Sequence, residues 1–451
     1  MKASRTNNAI IENLEARTLM TAAPLGISEV AYDGGTQLRI TGTTANDQIT
    51  VKQTTAGLLI ANGTWTRTVT DKINSLYING EAGNNSITLD GSVTLNATLV
   101  GGGVNDNIVA GNGTNTLIGG TGKNVLQSRT GNDTLVCLGS NADTLVGGSG
   151  FDNFWTDNTK TEKIQNLTAA ENNGGAVHKV AGFVNANAIT VAGKKVAAAK
   201  TKTVAAATGI KEPAVDAGVS YASFSNDPIF ASTGPSANDI FQGNVGDCYY
   251  LSVLASVAKT DPARIANNIA DLGDGTVVVQ LDKNGKPAFV REDESLPVNV
   301  DGTLAYAGLG QQNCTWVGLF EKAFCYVRTN QPSYDAIDAG WMDEAYEALG
   351  ASPTSTYTAD SANALMSLIS KDLTAGQSVT YATNDNPNTD ALIADHAYTV
   401  ISVGLDSHGN AATVTLRNPW GCDINGNGNG YVTISAGQAF KSFTGMVAAK
   451  V

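Results

Sequence analysis

The chain has 451 residues, a formal net charge of -13, 42% hydrophobic residues and 49 glycines. Its length suggests two or three domains with enough apolar content for packed cores, and its acidity argues against a general affinity for nucleic acid or anionic membrane. The five cysteines, Cys137, Cys248, Cys314, Cys325 and Cys422, are odd in number and widely spread, which fits neither a disulfide scaffold nor a paired zinc site. With only three histidines, His178, His396 and His408, few residues could serve as a catalytic base. No apolar run is long enough to span a bilayer, so no membrane insertion is expected.

In chain order, the first stretch, "MKASRTNNAIIENLEARTLMTAAP", has basic residues but no continuous apolar core, so it is not an ordinary signal peptide. Within it, "LEARTLMTA" resembles the short Leu-Glu-x-Arg motif found near the start of many bacterial surface and secreted proteins, with Ala16 where that motif usually has Pro. A plain amphipathic N-terminus is the alternative. An N-terminal segment over residues 1–36 and an extracellular or cell-surface location are expected on this basis.

Residues 101–155 stack in nines: "GGGVNDNIV", "AGNGTNTLI", "GGTGKNVLQ", "SRTGNDTLV", a ten-residue "CLGSNADTLV", then "GGSGFDNFW". Each unit has a glycine-rich turn, an Asn or Asp near its middle and a late apolar residue. "TGTTANDQITV" and "NGEAGNNSITL" are looser copies. A period of nine with this pattern predicts a parallel β-roll or β-helix, placed over residues 37–156. The units resemble the RTX calcium-binding repeats, in which turns two units apart share one side of the roll. One side would then carry Asp106, Asn124 and Asp143, the other Asn115, Asp133 and Asp152. Asparagine at two of these positions weakens a hard-cation site, which leaves Asp133 with Asp152 as the best calcium pair. The alternative is a metal-free roll held by Asn ladders and turn hydrogen bonds.

Residues 157–215 are expected to be a flexible linker, because "ANAITVAGKKVAAAKTKTVAAATGIKEP" offers few large apolar side chains to bury. If the next domain is a protease, this segment is where the chain would be cut.

The C-terminal region, residues 216–451, begins with "DIFQGNVGDCYYLSVLAS". After Cys248, apolar residues at Tyr250, Leu251, Val253, Leu254 and Val257 follow helical spacing. Asp247 fits an N-cap, so Cys248 would open the first turn. There the thiol is either a small core residue or a nucleophile with a lowered pKa. Downstream, "DHAYTVISVGLDSHGNAATVTLRNPWG" predicts a hairpin. A turn centred between Ser407 and His408 puts His396 opposite position 419, within one residue of Asn418. The Asn side chain could then accept the Nδ1 proton of His396 and leave Nε2 for a nucleophile. His408 lies in the turn, and His178 lies in the linker with no evident partner. The order is Cys, His, Asn, and 148 residues separate Cys248 from His396, within the ~130–150 typical of papain-like enzymes.

These segments resemble the calpain family. "QGNVGDC" is similar to its cysteine motif, "DHAYTVISV" to its histidine motif with Asp395 replacing the usual Gly, and "LRNPWG" to its asparagine motif. "TWVGLFEKAFCYVRTNQPSYDAIDAG" resembles the helix between them. The resemblance spans roughly residues 220 to 450 and implies an α+β papain-like cysteine endopeptidase acting on polypeptides. It implies Cys248 as nucleophile, His396 as general base and then acid, and Asn418 as the residue that orients His396. Gln242 would join the Cys248 backbone N–H in an oxyanion hole, and Trp420 would shield the Asn–His bond. It further implies calcium held by Asp239 and Glu321, with a carbonyl from Gly234. The chain is shorter than the family between Gly340 and Ala394, so no residues are assigned to a second calcium site. Two other readings stay open at this point: a catalytically inactive surface or binding protein on the same scaffold, and acyl transfer as in transglutaminases, whose third member is an aspartate. Cys314 and Cys325 are read as packing residues, Cys422 as a loop residue and Cys137 as incidental. Oligomeric state is not legible.

Overall fold

Strands recurring at half-turn spacing build the N-terminal region. The structure, a computed structural model, describes residues 25–139, 142–157, 161–185, 190–191, 194–195, 210–329 and 332–451. The Leu-Glu-x-Arg motif and much of the expected linker lie outside these residues. Two eight-stranded sheets face each other. In the first, Gly35–Thr41, Ser75–Asn79, Asn96–Val100, Asn115–Ile118, Thr134–Cys137, Asn153–Asp157 and Val177–Val180 run parallel. The register stacks Leu99 on Leu117 and Leu117 on Leu135. The second sheet stacks Ile87 on Ile108, Ile108 on Leu126 and Leu126 on Leu145. Neighbouring strands within a sheet therefore lie two nonapeptides apart, as the repeat predicts. These side chains are fully buried between the sheets, where each is worth ~1.5–3 kcal/mol. The glycines allow tight stacking: a Cβ at Gly122 would fall 1.1 Å from the Val104 carbonyl oxygen, and its φ of +91° is one that other residues rarely adopt.

The polar positions of the repeat turn inward. Asn85 N donates to Asp106 Oδ1 at 2.6 Å, Asp106 N to Asn124 Oδ1 at 2.9 Å and Asn124 N to Asp143 Oδ1 at 2.6 Å. On the other side Asn115 N donates to Asp133 Oδ1 at 2.7 Å, Asp133 N to Asp152 Oδ1 at 3.0 Å and Asp152 N to Glu171 Oε1 at 2.8 Å. The two groups are those the repeat predicts, but the carboxylates bond backbone N–H groups instead of forming a cation cage. Asp152 Oδ2 also accepts from Gly148 N at 2.6 Å. Asp133 and Asp152 are buried, and burial pushes the Asp133 carboxyl up to about 7. The expected calcium pair does not fit this arrangement.

Lys163–Gln165 and Val177–Val180 pair in the two sheets, with Ala169–Asn173 as a short helix between them, so stacking runs past residue 156, where the linker was expected to start. The outer face of the first sheet is covered as well. Val100, Ile118, Val136, Leu138, Trp155 and Val180 pack against Ala270, Leu272, Val278 and Phe289 of the C-terminal region. His178, expected to be a linker residue without a partner, stacks on Trp155 with centroids 4.0 Å apart. Its ring nitrogens lie 2.6 Å from Gln280 Oε1 and 2.8 Å from Asn153 Oδ1.

The C-terminal region has two lobes. The first contains the helices Cys248–Thr260, Pro262–Asn267, Trp316–Arg328 and Met342–Ala348 and an antiparallel sheet of Ile269–Asp271, Thr276–Asp282 and Pro287–Asp293. The second is a six-stranded antiparallel sheet in the order Ser352–Thr356, Phe443–Lys450, Ser378–Thr383, Ala397–Leu405, Ala411–Arg417 and Tyr431–Ser435. Helices Ala362–Thr374 and Ala436–Lys441 pack on one of its faces. Helix Cys248–Thr260 lies between the lobes and is buried from Tyr249 to Ala258. Tyr250 stacks on Phe324 on one side, centroids 4.0 Å apart. On the other side Ser256 Oγ donates to Val379 O at 3.1 Å, and Ser252 O accepts from Thr399 Oγ1 at 2.7 Å. No helix among the described residues is long and apolar enough to cross a membrane.

Candidate active site

The helix Cys248–Thr260 starts in a turn fixed from three directions. Gly246 N donates to Asp338 Oδ1 at 2.8 Å, Gly246 O accepts from Ala339 N at 3.0 Å, and Asn244 N donates to Ala305 O at 3.0 Å. Asp247 occupies the N-cap position, but its side chain makes no cap bond. Its carbonyl accepts from Tyr250 N and Leu251 N at 2.8 and 3.1 Å. Its carboxyl instead turns into the core beside Glu321. Burial raises both groups, Asp247 to about 7, and the Asp247 charge raises Glu321 further. Glu321 accepts from Ala307 N at 3.2 and 3.0 Å with its two oxygens.

The Cys248 thiol is half-buried at the head of the helix, and the Ala397 backbone N–H favours its ionised form. Ala397 directly follows His396, so the sulfur lies beside the start of the strand that carries the imidazole. Burial pushes the thiol up to about 11, and the Asp247 charge adds to this, against the lowering expected from helix position. Burial pushes His396 down to about 4, opposed by its bond to Asn418. Both shifts oppose a resting thiolate–imidazolium pair.

His396 Nε2 lies 2.9 Å from Asn418 Oδ1. The ring is thus turned the opposite way from the sequence expectation: Nε2 meets the amide and Nδ1 is left for proton exchange. Asn418 is itself oriented, because its Nδ2 donates to Cys422 O at 2.9 Å and its Oδ1 also accepts from Trp420 N at 3.1 Å. The Trp420 ring packs on the imidazole with centroids 5.3 Å apart, and Tyr398 lies edge-on at 5.0 Å. His396 N donates to Thr383 Oγ1 at 2.9 Å. The hairpin register places Thr399 opposite Arg417 and Val400 opposite Leu416, one residue from expectation, with a bulge between Val400 and Ser402.

Gln242 N donates to Pro419 O at 2.9 Å, which ties the loop before the cysteine to the asparagine segment. Its side-chain Nε2 donates to Val245 O at 2.8 Å, while Oε1 is buried without a partner. A primary amide has a second N–H, which stays available here. Arg417, which the sequence reading passed over, adds another tie between the lobes: its Nη2 donates to Ile240 O at 2.8 Å. Its place beside Asn418 in "LRNPWG" was the available signal.

The expected calcium ligands are committed elsewhere. Asp239 Oδ2 accepts from Ser236 N at 2.7 Å and Trp316 Nε1 at 2.9 Å, and its Oδ1 accepts from Gln311 N at 3.1 Å. Asp239 therefore caps a short turn and holds the Trp316 indole, while Glu321 faces Ala307 and Asp247. Among the described residues no three His, Cys, Asp or Glu side chains cluster in a way that could hold a metal ion. As arranged, these residues do not fit calcium. Cys137, Cys314 and Cys325 are buried in cores.

Residues 220–430 match the family described as calpain family cysteine protease. Over 222 residues the chain is 27% identical to calpain-type cysteine protease ADL1 of Oryza sativa subsp. japonica, covering 46% of this chain and 10% of that protein. Over 213 residues it is 29% identical to the calpain-1 catalytic subunit of Rattus norvegicus and 30% identical to that of Bos taurus, in each case covering 44% of this chain and 29% of the relative. The match thus spans less than a third of the length of these relatives.

Proposed function

Since residues 220–430 form a calpain-family cysteine protease domain, we propose that the chain is a cysteine endopeptidase with Cys248 as nucleophile. What supports this reading is the His396–Asn418 pair joined at 2.9 Å, beside a strand that docks on the Cys248 helix through Thr399 Oγ1 to Ser252 O at 2.7 Å. His396 takes the thiol proton on Nδ1, and the sulfur attacks a peptide carbonyl. The negative charge on the carbonyl oxygen is met by the Cys248 N–H and the second N–H of Gln242. The C–N bond then breaks, and the leaving amine takes the proton from the imidazolium. Water, deprotonated by His396, hydrolyses the thioester and restores the thiol. Asn418 holds the ring by Nε2 throughout, and Trp420 keeps water from that bond. No step runs through calcium.

Peptide hydrolysis by the wild type and by Cys248→Ala tests the proposal, together with labelling by an epoxysuccinyl inhibitor. The expected result is turnover and a single adduct on Cys248, both lost in the variant. Turnover that survives Cys248→Ala would refute it. New amino termini in the products, without isopeptide bonds, distinguish hydrolysis from acyl transfer.

A further inference from the structure

Residues 238–242, the stretch that ends in the Gln242 amide, are tied alternately to the two lobes. Asp239 is held in the first lobe by the Trp316 indole at 2.9 Å and by Gln311 N at 3.1 Å, and Phe241 O accepts there from Gly308 N at 2.7 Å. The residues between them reach the second lobe. Asn238 Oδ1 accepts from the Tyr431 hydroxyl at 2.7 Å, Ile240 O accepts from Arg417 Nη2 at 2.8 Å, and Gln242 N donates to Pro419 O at 2.9 Å.

On the second lobe two of these ties start from one row of the six-stranded sheet. Thr399 pairs with Arg417, and Arg417 with Tyr431, so the three side chains share a sheet face. The third member, Thr399, donates from Oγ1 to Ser252 O of the nucleophile's helix. A single row thus grips both the helix that begins at Cys248 and the loop that leads to Gln242, and Asn418 directly follows Arg417 in the chain.

Stability does not account for Arg417. Its side chain is almost fully buried, and Nε and Nη1 are buried without a hydrogen-bond partner. Burying unpaired donors is costly, and an apolar side chain of similar length would avoid that cost. What Arg417 does supply is a long, planar donor that crosses from one lobe to the other.

We propose that Arg417 is a positioning residue for the oxyanion donor: by holding Ile240 O, it stations the Gln242 amide against the head of the Cys248 helix. This rests on the peptidase reading above. Gln242 lies two residues beyond Ile240, and its Nε2 is otherwise held only by Val245 O. Without Arg417 the loop remains attached through Asp239, Phe241 and Gln242 N, so the fold persists while the amide moves. An oxyanion donor acts only when it stands where the charge develops.

The test uses the full chain as Arg417→Met, which keeps the length of the side chain without its donors, and as Arg417→Lys, which keeps the charge and a donor. Three properties are compared. The first is kcat and KM for peptide hydrolysis. The second is affinity for a peptide aldehyde, whose carbonyl carbon bonds the Cys248 sulfur while the thiol proton passes to its oxygen. The third is the rate of Cys248 alkylation by iodoacetamide, in which sulfur displaces iodide and no oxyanion forms. In Arg417→Met, kcat and aldehyde affinity should each fall about 10–100-fold, less than the ~10²–10³ for outright loss of a donor. KM, alkylation and the thermal midpoint should stay nearly unchanged. Arg417→Lys should fall about 3–10-fold in the same two properties, and it decides the matter if Arg417→Met does not fold. In a Gln242→Ala background the added cost of Arg417→Met should be less than about threefold, because the donor it stations is gone.

Values within about threefold of wild type overturn the proposal. So does alkylation that falls as far as aldehyde affinity, or a cost that persists undiminished beside Gln242→Ala. Cleavage by the wild type with no effect of either Arg417 variant overturns the positioning and leaves the peptidase standing. Aldehyde capture without cleavage, selectively weakened in the variants, upholds the positioning and removes the peptidase. A wild type that neither cleaves nor captures the aldehyde overturns both.

Discussion

Asn418→Ala removes one amide and changes three partners. His396 Nε2 and Trp420 N lose a common acceptor, and Cys422 O loses its donor. A hydrogen bond to a neutral group nets about 1 kcal/mol, and one to a charged group about 1.5–3 kcal/mol. His396 gains charge as Cys248 gives up its proton, so the bond to Asn418 is worth ~0.5–2 kcal/mol more in the transition state, or ~2–30-fold in kcat. Loss of ring orientation adds to this, since a misplacement of ~1 Å can cost ~10²-fold. Together these predict a fall in kcat of roughly 10²–10³ with KM nearly unchanged, because the amide has no direct role in binding substrate. The pH profile gives a separate check. The Asn418 bond raises the proton affinity of His396 against the burial that lowers it, so its loss lowers that affinity further. The base must be neutral, and the acidic limb therefore moves to lower pH. Steady-state kinetics from about pH 3 to 9, with thermal unfolding at each pH as the fold control, measures both effects. A kcat within threefold of wild type and an unmoved acidic limb would refute this account of Asn418.

Gln242→Ala removes one oxyanion donor and should lower kcat by about 10²–10³, read in the same assay; a loss confined to KM would place the amide outside the oxyanion hole. Asp133→Asn puts an amide where Asn115 and Asn124 already serve in the ladder. The wild-type carboxyl has its pKa raised to about 7 by burial, so its destabilisation is full above that pH and fades as pH falls towards the ordinary carboxylate value of about 4. The variant should therefore unfold roughly 2–8 °C higher than wild type at pH 8, gain less at about pH 5 and gain little near about pH 4, as checked by calorimetry. With Asp239 and Glu321 occupied by backbone and indole donors, peptide hydrolysis should change less than about threefold between chelator and millimolar calcium; saturable stimulation of tenfold or more would show that these carboxylates abandon those donors.

Where chemistry is local in sequence, the reading from residues was close. The Gly-Asp-Cys turn, the hairpin that brings Asn418 to His396, and the two-unit grouping of Asp106, Asn124 and Asp143 all follow from short-range periodicity. Three features were hidden because they depend on contacts between distant segments. The imidazole turns its Nε2 to Asn418 because Thr383, from a different strand, fixes its backbone and Trp420 covers its face. Asp247 forgoes its cap because Glu321, 74 residues away in sequence, receives its carboxyl. His178 read as a linker residue because its partners Trp155 and Gln280 lie on the roll and on the C-terminal region. In helix Cys248–Thr260, Ser256 Oγ bonds the Val379 carbonyl and the Ser378 hydroxyl of the six-stranded sheet, and the Ser252 carbonyl accepts from Thr399 Oγ1.

The two interior rows of Asn and Asp side chains have a direction. In every rung from Asp47 to Glu171 the backbone donor comes earlier in the chain than the acceptor that completes it. A coil emerging during synthesis therefore stays open until its successor has been made, and Glu171 closes the last rung of its row. Shortening the solenoid from its C-terminal end would strip the final coil of its acceptor each time, whereas trimming from the N-terminal end would leave every remaining rung complete.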